Sequence, residues 1–324
     1  MLALTDFATK LHAELLAAGS VRIATHVNPD GDALGCSLAL LHAVRAMGVR
    51  AELLCNNPAP LNLVFLPGSN EIRFEPVETP PDLGLVVDLN VLHRLGKVAP
   101  WMEECRQMAV IDHHEPGEGL GDFSYVNARE AACAMMVFDV LKQWKVEITP
   151  VMATCLLTGI VTDTGSFRFP NTSERSMHLA AELIGLGADI SKIGEEVYQK
   201  RDLAAVKLES AMLDRMKLEV NGRLCWSYLT HEDFQASGGS DEHTEGLVND
   251  LLSINTVGVA VLFREPKQGK IRCSLRSRRE YDVASIAQGF GGGGHRNAAG
   301  CTFEEDMTSA TDKLIGTLRK CLES

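Results

Sequence analysis

Four short segments carry acidic and imidazole side chains at the ends of apolar runs. Asp112-His113-His114 closes the run Met108-Ala109-Val110-Ile111, and Asp88 closes Leu85-Val86-Val87. His26, Asp30 and Asp32 follow the run at 21–24, and Asp163 follows the run from 156 to 162. Apolar runs of this kind read as buried elements that deliver side chains to one edge of a sheet. Carboxylate oxygens mixed with imidazole suit Mn²⁺, and suit Mg²⁺ or Zn²⁺ less well. Asp30 and Asp32 lie on a turn shaped by Pro29 and Gly31, so they can address two different ions, and the other three segments supply further ligands. Two ions roughly 3.5–4 Å apart form a clamp for in-line attack on phosphorus. Each part also has a plainer structural reading. Asp30 and Asp32 can cap a helix, Asp88 can end a strand in a turn, and the histidines can bond to backbone in a core. All three readings must hold at once to remove the site.

These residues need a sheet to bring them together. Phe7, Leu11, Leu15 and Leu16 have helical spacing, a strand is expected at 21–25, a helix at 33–47 closed by Gly48, and a strand at 51–55. That β-α-β unit implies a parallel sheet with a right-handed crossover. Gly35, one turn into the helix, permits close packing. The proline-rich stretch 58–81 reads as irregular connection. Strands are expected at 83–88 and 107–111, and helices at 131–144, 150–162 and 173–187. A second part begins with an amphipathic helix carrying Val206, Leu208, Met212, Leu213 and Met216. It continues with strands at 224–228, 256–264 and 270–278, and helices at 245–253, 283–288 and 307–322. The expected fold class is α/β. Residues 1–188 form an N-terminal parallel-sheet domain with the dimetal site, 189–201 a helical connector, and 202–324 a smaller α/β domain that binds substrate.

The chain has 324 residues, enough for two domains, and ordinary hydrophobic and charged fractions for a soluble protein. No apolar run approaches the length of a membrane span, and the first residues lack the basic region of a secretory signal. Nine scattered cysteines without a C-x-x-C pair suggest reduced core thiols, a cytoplasmic location and no structural zinc. A net charge of −12 argues against binding long nucleic acid. Basic charge is nevertheless concentrated between Arg264 and Arg279, where Glu265 is the lone acid. A solvated edge strand would explain such a run. The glycine run Gly291-Gly292-Gly293-Gly294 comes next, with His295, Arg296 and Asn297 after it. Backbone N–H groups in a glycine run can approach an anion closely. Together, the strand and the run point to a clamp for a phosphate or nucleotide, with Arg276, Ser277, Gly292, Gly293, Gly294, His295 and Asn297 as its contacts. One clamp without a long basic track implies short substrates.

His26-Val-Asn-Pro-Asp30-Gly-Asp32, Val87-Asp88, Asp112-His113-His114 and Thr158-Gly-Ile-Val-Thr-Asp163-Thr-Gly-Ser-Phe resemble the four motifs of DHH phosphoesterases. Gly291-Gly-Gly-Gly-His295-Arg-Asn-Ala-Ala-Gly300 resembles the glycine motif of the associated DHHA1 domain. The resemblance spans essentially the whole chain and is greatest to the nanoRNase/3′-phosphoadenosine-5′-phosphate (pAp) phosphatase branch. RecJ-type exonucleases share the motifs but are larger, and family II pyrophosphatases lack the glycine–histidine tail.

The resemblance implies that His26, Asp30 and Asp88 hold one ion. Asp32, Asp88, His113 and Asp163 would hold the other, with Asp88 bridging. Asp112 would orient a ligand, and His114 would face the substrate, protonating the leaving oxygen or stabilising the developing charge. Alternation along a strand would point His113 and His114 in opposite directions. The implied activity is Mn²⁺-dependent hydrolysis of short oligoribonucleotides, and of pAp to AMP, with oligomerisation open. The alternatives are a phosphodiesterase for cyclic or linear dinucleotides and a nucleotide sensor without catalysis. The complete ligand set argues against the sensor.

Overall fold

The computed structural model describes residues 1–77, 80–115, 117, 119–278 and 280–323, with the side chains of His295 and Glu323 outside that description. The chain divides into two compact units, Met1–Lys200 and Arg201–Ser324.

In the first unit, α1 (Leu4–Ala18) precedes β1 (Ser20–Ala24), α2 (Gly31–Ala46) and β2 (Arg50–Leu54). Strand β3 (Leu83–Val87), α3 (Ala99–Glu103), β4 (Gln107–Asp112) and β5 (Phe123–Val126) come after them. Helices α4 (Cys133–Gln143), α5 (Pro150–Asp163), α6 (Glu174–Gly185) and α7 (Ile190–Gly194) complete it. The sheet is parallel throughout, in the order β2-β1-β3-β4-β5. Its apolar runs are continuous because both faces are covered. Ile23, Leu85, Val87, Ala109 and Ile111 join a core with α1, α2, α4 and α5. The alternate residues Ala24, Val86, Met108 and Val110 pack with Leu95, Val98 and Met102 on the other side. Arg22 is fully buried on that second face. It is matched by Glu52 at 2.7 Å and the Trp101 carbonyl at 2.7 Å, as a buried cation requires.

Helices α2 and α5 touch backbone to backbone. A Cβ on Gly35 would lie 2.4 Å from the Cys155 carbonyl oxygen, and one on Gly31 would lie 2.4 Å from Thr162 Oγ1. The start of α2 therefore lies against the end of α5, which brings Asp32 and Asp163 to one place. The expected strands and helices of this unit are present, with ends shifted by a few residues. Strand β5 and α3 were not expected from the sequence. Strand β5 is four residues long, and three of them are only partly buried, so its period is weak.

The second unit opens with α8 (Leu203–Asp214), β6 (Lys217–Glu219), β7 (Leu224–Leu229), α9 (His231–Ser237) and α10 (Leu247–Leu252). Strands β8 (Val259–Lys267) and β9 (Lys270–Ser277), α11 (Val283–Gln288), β10 (Gly293–His295), β11 (Ala298–Phe303) and α12 (Met307–Glu323) complete it. Its sheet runs β10-β11-β9-β8-β7-β6, with only β7 and β8 parallel. Helix α8 buries Ala205, Leu208 and Met212 but leaves Val206 and Leu213 exposed, so its core stripe is narrower than the sequence suggested. No described helix is long and apolar enough to cross a membrane.

Candidate metal centre

The strand order reverses between β1 and β3: from β1 the sheet continues to β2 on one side and to β3 on the other. In open α/β sheets, ligands bind outside the carboxyl ends of the strands at such a point. The loop after β1 carries His26, the residue after β3 is Asp88, and β4 ends on Asp112 with His113 and His114 behind it. Asp88 has φ +63°, a conformation rare for a residue with a Cβ and common where function constrains the backbone.

Three groups of donor atoms result, each within 4.8 Å: His26–Asp30–Asp88, Asp32–His113–Asp163 and Asp88–His113–His114. Asp88 joins them. Its Oδ2 lies 3.4 Å from His26 Nε2 and its Oδ1 lies 3.4 Å from His113 Nε2. Asp30 Oδ2 is 3.7 Å from His26 Nε2, while Asp32 and Asp163 stand 3.8 and 3.7 Å from His113 Nε2. Nδ1 of His26 pairs with the Val27 carbonyl at 2.9 Å, and Nδ1 of His113 pairs with the Glu130 carbonyl at 3.2 Å. These bonds orient both rings and turn Nε2 inward as the donor.

The plainer reading of Asp30 is borne out, and it leaves one oxygen for the donor group. Asp30 Oδ1 caps α2 by accepting from the N–H groups of Asp32 and Ala33, while Oδ2 faces His26. Asp32 is held by the start of α4: Cys133 N donates to Oδ2 at 2.6 Å and Ala134 N to Oδ1 at 2.9 Å. Those two contacts involve main-chain groups, so no side-chain signal announced them.

The electrostatics fit a cation. Burial opposes protonation of His26, but Asp88 and Asp30 outweigh it and raise the imidazole to about 9. At His113 burial is likewise outweighed by Asp88, Asp163 and Asp32, again to about 9. Burial and Asp88 push Asp32 up to about 7, and burial with Asp32 pushes Asp163 well above the carboxylate range. Carboxylates this close resist joint ionisation, and divalent cations relieve that repulsion. His26 Nε2, Asp88 Oδ1 and Asp112 Oδ2 are buried with no hydrogen-bond partner among the described residues. Buried polar atoms are nearly always paired, and three such atoms in one place suit a site that could hold a metal ion.

His113 and His114 do not point apart. Their ring centroids are 4.8 Å from each other, because β4 ends at Asp112 and the pleat no longer governs the residues beyond it. Asp112 Oδ1 lies 2.6 Å from His114 Nδ1 and also accepts from the His114 N–H at 3.2 Å. Asp112 therefore orients His114.

In the second unit the expected contacts are mostly engaged with the protein itself. Asn297 Nδ2 reaches Ser277 Oγ at 2.9 Å and the carbonyls of Arg278 and Tyr281 at 2.7 and 2.9 Å. Ser277 Oγ donates to the Tyr281 carbonyl at 3.0 Å. The glycine run is not simply an open loop, since Gly293–His295 is strand β10, paired with β11. A Cβ at Gly292 would lie 2.1 Å from the Gly300 oxygen, and one at Gly294 would lie 2.4 Å from the Ala298 oxygen. The His295 side chain lies outside the described residues. Asp241, which sequence reasoning missed, accepts from Arg264 at 2.8 Å and Arg272 at 2.6 Å and so divides the basic run. Arg276 stands flanked in register by Ala260 and Ala298, and its side chain bonds the Leu275 carbonyl at 3.0 Å.

Residues 20–160 match the family model described as DHH family, N-terminal domain, and residues 222–324 match that of the DHHA1 domain. The chain is 34% identical to a protein of Thermus thermophilus named bifunctional oligoribonuclease and PAP phosphatase NrnA, over 96% of this chain and 93% of that one. A solved exopolyphosphatase-related protein of Bacteroides fragilis matches with a TM-score of 0.91 and 25% identity, covering 98% of each chain. RecJ of Thermus thermophilus, solved in complex with Mn²⁺, matches with a TM-score of 0.57 and 13% identity, over 99% of this chain and 54% of that one. That last likeness shows the fold alone.

Proposed function

The chain belongs to the DHH phosphoesterase family and carries the DHHA1 domain, and on that premise we propose that it cleaves short oligoribonucleotides, and pAp to AMP, at a two-metal centre. It is a hydrolase of phosphoester bonds. The observation that carries the two-metal reading is Asp88, whose two oxygens meet histidines of two different donor groups. His26, Asp30 and Asp88 would hold one ion, and Asp32, Asp88, His113 and Asp163 the other. Divalent cations, with Mn²⁺ the best match to carboxylate and imidazole donors, would supply an acidified water and charge neutralisation at phosphorus.

The protein's own groups do the rest. Asp88 faces both donor groups with one carboxylate, and its constrained backbone fixes that geometry. Asp112 holds His114 through Nδ1, and Nε2 is the atom assigned to protonate the leaving oxygen. Arg276, His295 and the glycines of the second unit are assigned to the nucleotide's other phosphate. The T. thermophilus relative is named for oligoribonucleotide and pAp chemistry, and the likeness over nearly the full length of both chains supports carrying both substrates here.

The test is an assay with Mn²⁺ that compares phosphate release from pAp, mononucleotide release from labelled RNA of two to five residues, and cleavage of a cyclic dinucleotide. Turnover of the first two is expected. Turnover of the cyclic dinucleotide alone would reassign the enzyme, and nucleotide binding without turnover would leave a sensor.

A further inference from the structure

Between β3 and α3 the chain passes beside the His26 loop and is fastened to it. The N–H of Val27 donates to the Arg94 carbonyl at 2.9 Å. Asn56 accepts from Lys97 N at 2.7 Å and donates to the Leu95 carbonyl. Gly96 has φ +58°, and a Cβ there would lie 2.6 Å from Val27 Cγ1 and 2.6 Å from Asn56 Oδ1. Only glycine fits this close crossing. The result is that the Arg94 backbone is held in register with the residue after His26.

Most arginines of this unit already have a partner. Arg22 meets Glu52, Arg45 meets Glu71, Arg106 meets Asp82, Arg175 meets Glu130 and Asp139, and Arg168 bonds the Gly165 carbonyl. Arg94 forms no ion pair and no side-chain hydrogen bond with another described residue. It is only partly buried, and its charge acts on both His26 and Asp30. A guanidinium whose backbone is fastened beside the His26 loop, whose charge reaches His26 and Asp30, and which pairs with no described carboxylate has its donors available for a ligand. Its planar fork matches phosphate oxygens.

We propose that Arg94 binds a non-bridging phosphate oxygen of the substrate beside His26 and Asp30, making it a substrate-contacting residue of the reaction. This rests on the phosphoester reading above. A fixed cation at that position opposes the charge that gathers on phosphate oxygens during displacement, without itself holding a metal ion.

The test uses Arg94→Ala and Arg94→Lys in the full chain loaded with Mn²⁺. Binding of inorganic phosphate, measured by calorimetry, should weaken roughly ten- to a hundredfold in Arg94→Ala, the range for a lost charge-assisted hydrogen bond. Metal content should stay that of the wild type. On pAp, Arg94→Ala should lose kcat/KM by at least the same factor, Arg94→Lys should recover part of it, and added guanidinium ion should partly restore Arg94→Ala. Unchanged phosphate affinity overturns the proposal whether or not the wild type turns pAp over. Loss of metal from Arg94→Ala also overturns it, because the residue would then support the ligands. A wild type that binds phosphate through Arg94 but hydrolyses neither pAp nor dinucleotide refutes the substrate reading and leaves the Arg94 assignment standing.

Discussion

The metal centre and the glycine hairpin were both marked by the sequence as functional, and the structure treats them differently. At the metal centre the marked side chains converge, and three of their polar atoms are buried without a partner among the described residues. At the hairpin the marked groups largely satisfy one another, as Asn297 does with Ser277 and the carbonyls of Arg278 and Tyr281. Carboxylates and imidazoles are costly to gather in a buried place, so their convergence calls for more explanation than packing gives, and groups of this kind could hold a metal ion. Glycines and amides have ordinary structural uses, and a motif built from them is explained as well by packing as by binding.

The contrast is broken most directly at Asp88. Asp88→Ala is expected to abolish turnover and release both ions while circular dichroism stays that of the wild type. Metal analysis and a pAp assay decide it. Near-normal activity in saturating Mn²⁺ would remove the bridging role and with it the two-metal reading.

His114 comes next in size. His114→Ala is expected to keep its metal and lose turnover by roughly 10²–10⁴-fold, the range for a general acid. The ring lies 3.7 Å from Asp88 Oδ1 and belongs to a donor group with His113, so metal retention is the sharper readout. If one ion leaves with the ring, His114 is a ligand and the proton must come from elsewhere.

How legible the site was depends on how each residue is delivered. His26, Asp88 and Asp112 stand at carboxyl ends of buried parallel strands, and continuous apolar runs made those ends visible. Asp163 was visible as the end of an apolar helix, and Gly35 as its packing partner's small residue. The main-chain donors at Cys133 and Ala134 were invisible, since any residue supplies an N–H. The shared direction of His113 and His114 was hidden because it depends on where β4 stops. In the second unit Asp241 lies far along the chain from the arginines it meets, and such pairing is not written in local sequence. The short edge strand β10 was masked by glycine, which carries no β signal.

A middle-sized effect is expected from Arg276→Ala combined with His295→Ala. Cleavage of two- to five-residue RNA should slow, in kcat/KM, by roughly ten- to a hundredfold, the cost of lost charge-assisted contacts. Bis-p-nitrophenyl phosphate offers no second nucleotide to hold, so its hydrolysis should change little. Equal losses on both substrates would mean that these residues maintain the enzyme's structure and do not recognise the nucleotide.

The smallest effect on chemistry is expected at Asn297, where the sequence and the structure disagree most. The motif made it a substrate contact, but its amide bridges the end of β9 to the turn before α11, touching Ser277, Arg278 and Tyr281. If that bridge is its role, Asn297→Ala removes the amide that ties Ser277, Arg278 and Tyr281 together, at a cost of about 0.5–1.5 kcal/mol for each bond lost. The melting temperature should fall, while kcat/KM on dinucleotide and on bis-p-nitrophenyl phosphate keep their wild-type ratio below the transition. A substrate contact behaves in the opposite way, with a stable variant that loses dinucleotide cleavage selectively. Measuring stability and the substrate ratio on the same preparation separates the two, because a hairpin brace moves the first and a ligand contact moves the second.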